Sequence, residues 1–314
     1  MLAALLPAAA LAHGQSSPRP SFLRLLANWD FDPFFIISAG GLIWLYLSTV
    51  QRVNRAHPKA RFPRRRVVAF LAGMGVISVA LVSPTAGYDG DLFVVHMWQH
   101  ILLTMVAAPL VLMGTPITLT LRAVSPRVRR AVMLPVLHSH VLKAVTFPVV
   151  AWVLFAGLMW GSHFSPMFNL ALEHVWVHRL EHLLYVTAGL LFWWPVVGLD
   201  PTPWRMAHPI RALYVFLQMP QNSFLALSIY NADHVLYNHY ATSSRTWGPG
   251  PLHDQQLAGI TMWIIGDLLF LSAVGLVIAG WVKAEELEAK RQDRLQAKRK
   301  ADAAAAAAAS NGPI

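Results

Sequence analysis

The sequence contains no cysteine in 314 residues, which removes disulfides, thiolate metal sites and thiol nucleophiles together. It is also poor in charge. Asp, Glu, Lys and Arg make up 13% of the chain, against about 25% in an ordinary soluble domain, so a water-soluble fold is the weaker reading. The composition is instead 56% hydrophobic, with 12 Trp and 15 Phe. The apolar runs lack the residue-by-residue alternation of barrel strands, which leaves helices as the elements that satisfy their own backbone in lipid.

Hydropathy divides the chain into runs near the roughly 20 residues that span a bilayer: Phe31–Val50, Val67–Ser83, Leu92–Met113, Ala144–Trp160, His182–Val197, Ile210–Tyr230 and Leu257–Val282. The pattern predicts an all-α integral membrane protein of about seven transmembrane helices. Residues 1–30 read as an N-terminal extracytoplasmic segment, 31–282 as the bundle and 283–314 as a charged cytoplasmic tail. The apolar Met1–Ala12 stretch ends in Ala-Leu-Ala before His13 and resembles a signal remnant without a basic n-region. The tail mixes acids, bases and Ala and reads as a solvated helix fading into disorder.

Orientation follows from the basic residues, because short cytoplasmic loops retain Lys and Arg. Of the 25, all but Arg19, Arg24, Arg179 and Arg245 fall in Gln51–Arg66, the third-to-fourth connection, the fifth-to-sixth connection or the tail. The N-terminus is therefore expected outside and the C-terminus in the cytoplasm. The same distribution accounts for the formal charge of +10 through topology and anionic lipid, without nucleic acid as a partner.

Without cysteine, a metal must be held by His, Met or carboxylate, and the chain has 14 His. His96, His100, His163, His174, His178, His182, His234, His239 and His253 fall toward the outer face. His96 and His100 are four apart on the third span, with Cβ atoms about 5–6 Å apart on one helical face. His174, His178 and His182 repeat at intervals of four leading into the fifth span, a drift of about 40° per step that keeps them on one stripe. Imidazoles suit copper or zinc, and Met97 or Met105 would add softness for reduced copper. Asp91, Glu173, Glu181 and Asp233 are candidate outer partners that orient the rings. Against this stands the ordinary role of His in inter-helix hydrogen bonding; repetition on two helices at one face makes the two readings about even.

His178-Arg-Leu-Glu181-His182 also matches the H-x-x-E-H pattern of inverted zincins. Their further Glu ligand has no counterpart, because after His182 the chain has only Glu285, Glu286 and Glu288, in the tail. A protease is therefore disfavoured. Asp267 sits in the seventh span, and Gln218, Gln221, Asn222 and Ser223 surround Pro220 in the sixth; an ion or proton path and a hydrogen bond bracing a kink are both open. The aromatic loop Asn231–Gln256 reads as a lid over the histidines, a docking surface, or a plain surface loop.

Four motifs together resemble the CtaG-type cytochrome c oxidase assembly factors, a polytopic membrane family: His96-Met-Trp-Gln-His100 running on to Pro109, His178-Arg-Leu-Glu-His182, Phe192-Trp-Trp-Pro195 and Asp254-Gln-Gln-Leu-Ala-Gly-Ile-Thr-Met-Trp263. The likeness extends from about Phe31 to Val282. It implies a non-enzymatic role in maturing a haem–copper oxidase in the bacterial plasma membrane, with oxidase subunits and membrane lipids as partners and copper as the metal. It points to His96, His100, His178 and His182 as the residues that carry the role. On the residues alone, a haem-binding electron carrier, a copper or proton transporter and a metal-free scaffold remain open.

Overall fold

A computed structural model describes residues 18–21, 23, 24, 29, 32–242 and 245–310, the last seven as backbone alone. The signal-like stretch and His13 lie outside the described residues. Helices account for the architecture, and no strand occurs among the described residues. In chain order they are α1 (Pro33–Ala56), α2 (Arg64–Val82), α3 (Phe93–Ile101), α4 (Ala108–Met113), α5 (Pro116–Ala123), α6 (Pro148–His163), α7 (Met167–Glu173), α8 (Val175–Val197), α9 (His208–Phe216), α10 (Gln218–Tyr230) and α11 (Pro251–Ser310). A π-helical stretch, Leu102–Ala107, joins α3 to α4, and short helical turns occupy the basic segment 126–145.

Five stretches are long and apolar enough to cross a bilayer: Pro33–Ala56, Arg64–Tyr88, Phe93–Ala123, Val175–Val197 and Pro251–Ala303. The pair α6 and α7, bent by 68° at its break, gives a sixth if it is taken as one span. The segment expected over Ile210–Tyr230 is broken at Leu217 into α9 and α10, neither of which alone has spanning length. Pro220 explains the break: its ring crowds the carbonyl of Phe216 and it offers no N–H to bond it.

Two expected boundaries move. α6 begins at Pro148 rather than Ala144, because a proline in the first turn sacrifices only an N–H that has no intrahelical partner. α8 begins at Val175 rather than His182, so His178, Glu181 and His182 lie within the helix. α11 continues without a break past Val282 to Ser310.

Hydrogen bonds fasten the two ends of the bundle. At one end, Arg179 donates to Asp32 at 2.8 Å, Phe93 N–H to Asp254 at 2.8 Å and Leu236 N–H to Gln255 at 2.8 Å. At the other, Arg122 donates to Ala60 O at 2.6 Å, Thr118 N–H to Asp200 at 2.7 Å and Trp204 to Lys143 O at 2.8 Å. The basic connections lie at this second end, opposite His96 and His178.

The main core runs between α3, α6, α8, α10 and α11 and includes Phe93, Tyr185, Phe192, Leu225, Ile229 and Phe270, all nearly inaccessible. A smaller core joins α1 and α2, where Tyr46 stacks on Phe70 with ring centroids 3.8 Å apart and donates to Gly114 O at 2.7 Å. Large apolar side chains such as Trp44, Val68, Leu183, Phe224 and Leu276 point outward. On a soluble protein such patches would be a liability; on a bundle in lipid they face solvent of their own kind.

Candidate metal centre

The placement of His96 and His100 begins with the two ends of their helix. Leu92, at the N-cap of α3, gives no side-chain cap. Asp254 supplies one from α11, accepting from Phe93 N–H at 2.8 Å and Val94 N–H at 3.3 Å, with Arg245 at 3.5 Å. A carboxylate on free N–H groups at a helix start is favoured by both hydrogen bonding and the helix dipole. The motif Asp254-Gln-Gln thus fixes the rotation of the helix that carries the histidines. Gln255 adds to this by holding the loop, accepting from Leu236 N–H and donating to His234 O at 3.1 Å.

At the far end of α3, Pro109 has no N–H and its ring crowds the carbonyl of Met105. The chain widens into the π turn, where Ala108 N–H bonds Leu103 O, one residue further back than in an α-helix. In that register the partner of Thr104 O would be the nitrogen of Pro109. The indole N–H of Trp193 takes its place at 2.8 Å. Gly189 makes this contact possible, since a Cβ there would lie 3.0 Å from Ala108 Cβ and 3.1 Å from Thr104 O. α8 therefore packs directly on the helix of His96 and His100.

This approach places the imidazoles together. Ring centroids are 4.3 Å apart for His96 and His100, 4.2 Å for His178 and His182, and 5.3 Å for His96 and His178. Glu181, with no accessible surface, puts its two oxygens 3.7 Å from His96 Nε2 and 3.9 Å from His100 Nε2. Asp89 Oδ2 lies 3.8 Å from His178 Nε2 and accepts from Gln99 at 3.0 Å. Two overlapping triads result, His96–His100–Glu181 and Asp89–His96–His178, each with its ligand atoms within 4.8 Å of one another.

Those distances are too long for hydrogen bonds. Neither ring nitrogen of His96 or His100, nor either oxygen of Glu181, has a hydrogen-bond partner among the described residues. Leaving a buried polar atom unsatisfied costs about 1–3 kcal/mol, and more for a charge, a cost that an entering ion or water would relieve. Two ligands each about 2.0–2.1 Å from a metal stand about 3.3 to 4.1 Å apart, from the tetrahedral to the linear limit. The Glu181 contacts fall inside that interval. Imidazole nitrogen with carboxylate is a donor set for a transition metal.

Aromatic residues from the loop after α10 cover the cluster. Tyr237 and Tyr240 are buried against Phe93, with centroids at 4.8 and 5.5 Å, and Tyr237 meets Phe168 at 4.3 Å, which in turn lies 4.9 Å from His96. Tyr240 donates to Asp89 O at 2.6 Å; burial pushes its hydroxyl well above the usual tyrosine range, so it remains the donor. His239 Nε2 bonds Gly90 O at 2.8 Å. The lid reading of this loop matches the contacts.

Other candidates are placed elsewhere. His174 is exposed in an extended backbone at the break before α8, so the expected three-residue stripe is reduced to His178 and His182. Glu173 is exposed, and Asp233 pairs with His234 at the surface at 2.7 Å. Asp91 is buried, but the carboxylate facing His178 is Asp89, two residues earlier. Met97 is buried below the cluster beside His100. Asp267 accepts from Ser223 at 2.6 Å and Asn222 at 3.2 Å, bracing α10 against α11. Glu181 lies between His96 and His100, and the rings of His163 and Tyr185 stand 6.2 and 3.8 Å from that of His100; the sequence did not bring Asp89, His163 or Tyr185 to this place, since their spacing along the chain gives no sign of it.

A helical bundle with several lipid-length spans and a buried imidazole–carboxylate cluster near one end defines a multi-pass membrane protein. Residues 44–284, which enclose every element of this cluster, match the family described as cytochrome c oxidase caa3 assembly factor (Caa3_CtaG), and the chain belongs to that family. It is also similar to the uncharacterized proteins Mb0105 of Mycobacterium bovis and ML1998 of Mycobacterium leprae. Identity is 27% over 284 and 282 residues, covering 88% of this chain and 42% of each relative. The chain thus spans less than half the length of those relatives. No solved structure matches it.

Proposed function

We propose that this protein assists maturation of a haem–copper oxidase in the bacterial plasma membrane by holding copper as cargo at His96, His100, His178 and Glu181 and releasing it to an oxidase subunit. The observation that carries the reading is the pair of unpartnered Glu181 oxygens facing two unpartnered imidazoles at 3.7 and 3.9 Å. His182 stands beside His178 as a further ligand. Asp89 and Gln99 orient the cluster, and the tyrosine lid excludes water. Release rather than catalysis is the role, so the protein is not an enzyme.

The bundle crosses the membrane seven times in this reading, with the broken α9–α10 pair as the sixth crossing. The basic connections face the cytoplasm, which puts the cluster near the outer surface. Rings about 4 Å apart, edge-on for His96 and His100 and tilted for His178 and His182, support a single ion over haem, since a macrocycle needs a flat slot between its axial ligands. The test is metal analysis of protein purified in mild detergent after copper loading, for the parent and for His96→Ala, His100→Ala, His178→Ala and Glu181→Gln. Each variant is expected to retain less copper. Equal copper in all four would sink the assignment.

A further inference from the structure

One turn further into the bundle, four methionines converge on a cavity of about 30 Å³: Met97 from α3, Met105 from the π turn, Met159 from α6 and Met262 from α11. His100, His163, Thr104, Tyr185 and Asn222 supply the polar part of its wall. About 10–15 Å³ of such volume holds one water, so the space admits an ion but no organic ligand.

Methionine ordinarily fills gaps in a core, because its side chain is flexible enough to adapt. Here four such side chains surround a void instead of closing it. The imidazole of His163 sharpens the contrast. Its Nδ1 lies 2.7 Å from Met159 O, and a carbonyl can only accept, so Nδ1 carries the hydrogen. In the neutral ring, Nε2 then bears a lone pair; this atom is buried and has no hydrogen-bond partner among the described residues. A backbone carbonyl fixing one ring nitrogen while the other is left free is the usual arrangement of a metal-ligating histidine.

We propose that this cavity is a second metal site, lined by thioethers and selective for a soft monovalent ion, Cu(I), with His163 Nε2 as its nitrogen ligand. Thioethers bind Cu(I) in preference to hard divalent ions. His100 borders both this chamber and the Glu181 cluster, so the ion moves inward by exchanging ligands around one shared residue, with no electron transferred. From His96 to Met105 the helix descends about 13 Å. The inference rests on the copper reading for the identity of the ion but not for the existence of the site.

The full chain, produced with selenomethionine and purified in detergent, is loaded with Ag(I), a redox-inert probe for Cu(I), and measured by X-ray absorption at the selenium edge. The expected result is a silver neighbour to selenium. The signal is lost and Ag(I) affinity falls at least about tenfold in Met159→Leu/Met262→Leu, which keeps volume while removing two thioethers. Absence of silver beside selenium in the unsubstituted chain, which needs no variant to fold, overturns the proposal, as does unchanged Ag(I) affinity in a folded double variant. The two sites fail separately. With Cu(II) loaded only as a probe of the imidazole–carboxylate cluster, its loss in His96→Ala without a selenium signal removes the chamber alone; a selenium signal with this probe retained in every histidine variant supports the chamber and removes the cluster.

Discussion

Glu181→Gln keeps the shape of the side chain and removes its charge. In the metal-free protein both carboxylate oxygens are buried without hydrogen bonds, and the two nearest nitrogens stand 3.7 and 3.9 Å away. The amide leaves the same two positions unpaired without any charge, so the metal-free variant is expected to be about as stable as the parent, or more so at a pH where the carboxyl is ionised. The metal-loaded state behaves in the opposite way. A ligand at 100 times its Kd stabilises by about 2.7 kcal/mol, and at roughly 2–4 °C per kcal/mol this raises the parent's melting temperature by about 5–11 °C. The variant is expected to lose most of that rise. Intrinsic tryptophan fluorescence during heating in detergent reads both quantities, with and without copper. A variant less stable than the parent when metal-free, yet stabilised equally by copper, would refute the reasoning and make Glu181 a structural residue.

Further substitutions address how the cluster is held. Gly189→Ala brings a Cβ to 3.0–3.2 Å from Ala108 and Thr104 on the facing helix; a loss of about 1–3 kcal/mol is expected by thermal unfolding, together with weaker copper binding. Trp193→Phe strands Thr104 O beside Pro109 and is expected to cost about 1–3 kcal/mol in the same assay. Asp254→Asn weakens the charge-assisted cap on α3 by about 1 kcal/mol or more, and hydrogen exchange at Phe93 and Val94 is expected to accelerate first. Tyr240→Phe removes one hydrogen bond to Asp89 O and is expected to speed copper release more than it lowers stability, measured as the off-rate to a chelator.

Much of the bundle was legible because lipid imposes long apolar runs and concentrates Lys and Arg in a few connections. The pairing of His96 with His100 was legible from helical spacing alone. The role of Glu181 was not, since it depends on α8 starting at Val175. That start is set by a break at His174 that no residue in Leu-Glu-His-Val advertises. Asp89 reaches the site through folding of the chain between α2 and α3, and His163 from the last residue of α6, and neither leaves a periodic trace. Asp254, quoted as part of a motif, turned out to act on a helix 160 residues away in sequence. Conversely, Asp267 drew notice as a charge in a span, and its hydrogen bonds to Ser223 and Asn222 give it a bracing role.

α11 has a mechanical consequence. It is packed against the bundle core to about Val277, and it continues as one helix to Ser310, exposed from Val282 as far as residue 303. At 1.5 Å per residue the packed arm from Asp254 to Val277 measures about 35 Å, and the arm from there to residue 303 about 39 Å. A lever with those proportions delivers a displacement at its outer tip little diminished to the carboxylate that caps the histidine helix. Whatever grips the rod on one side of the membrane therefore has a stiff handle on the cluster near the other.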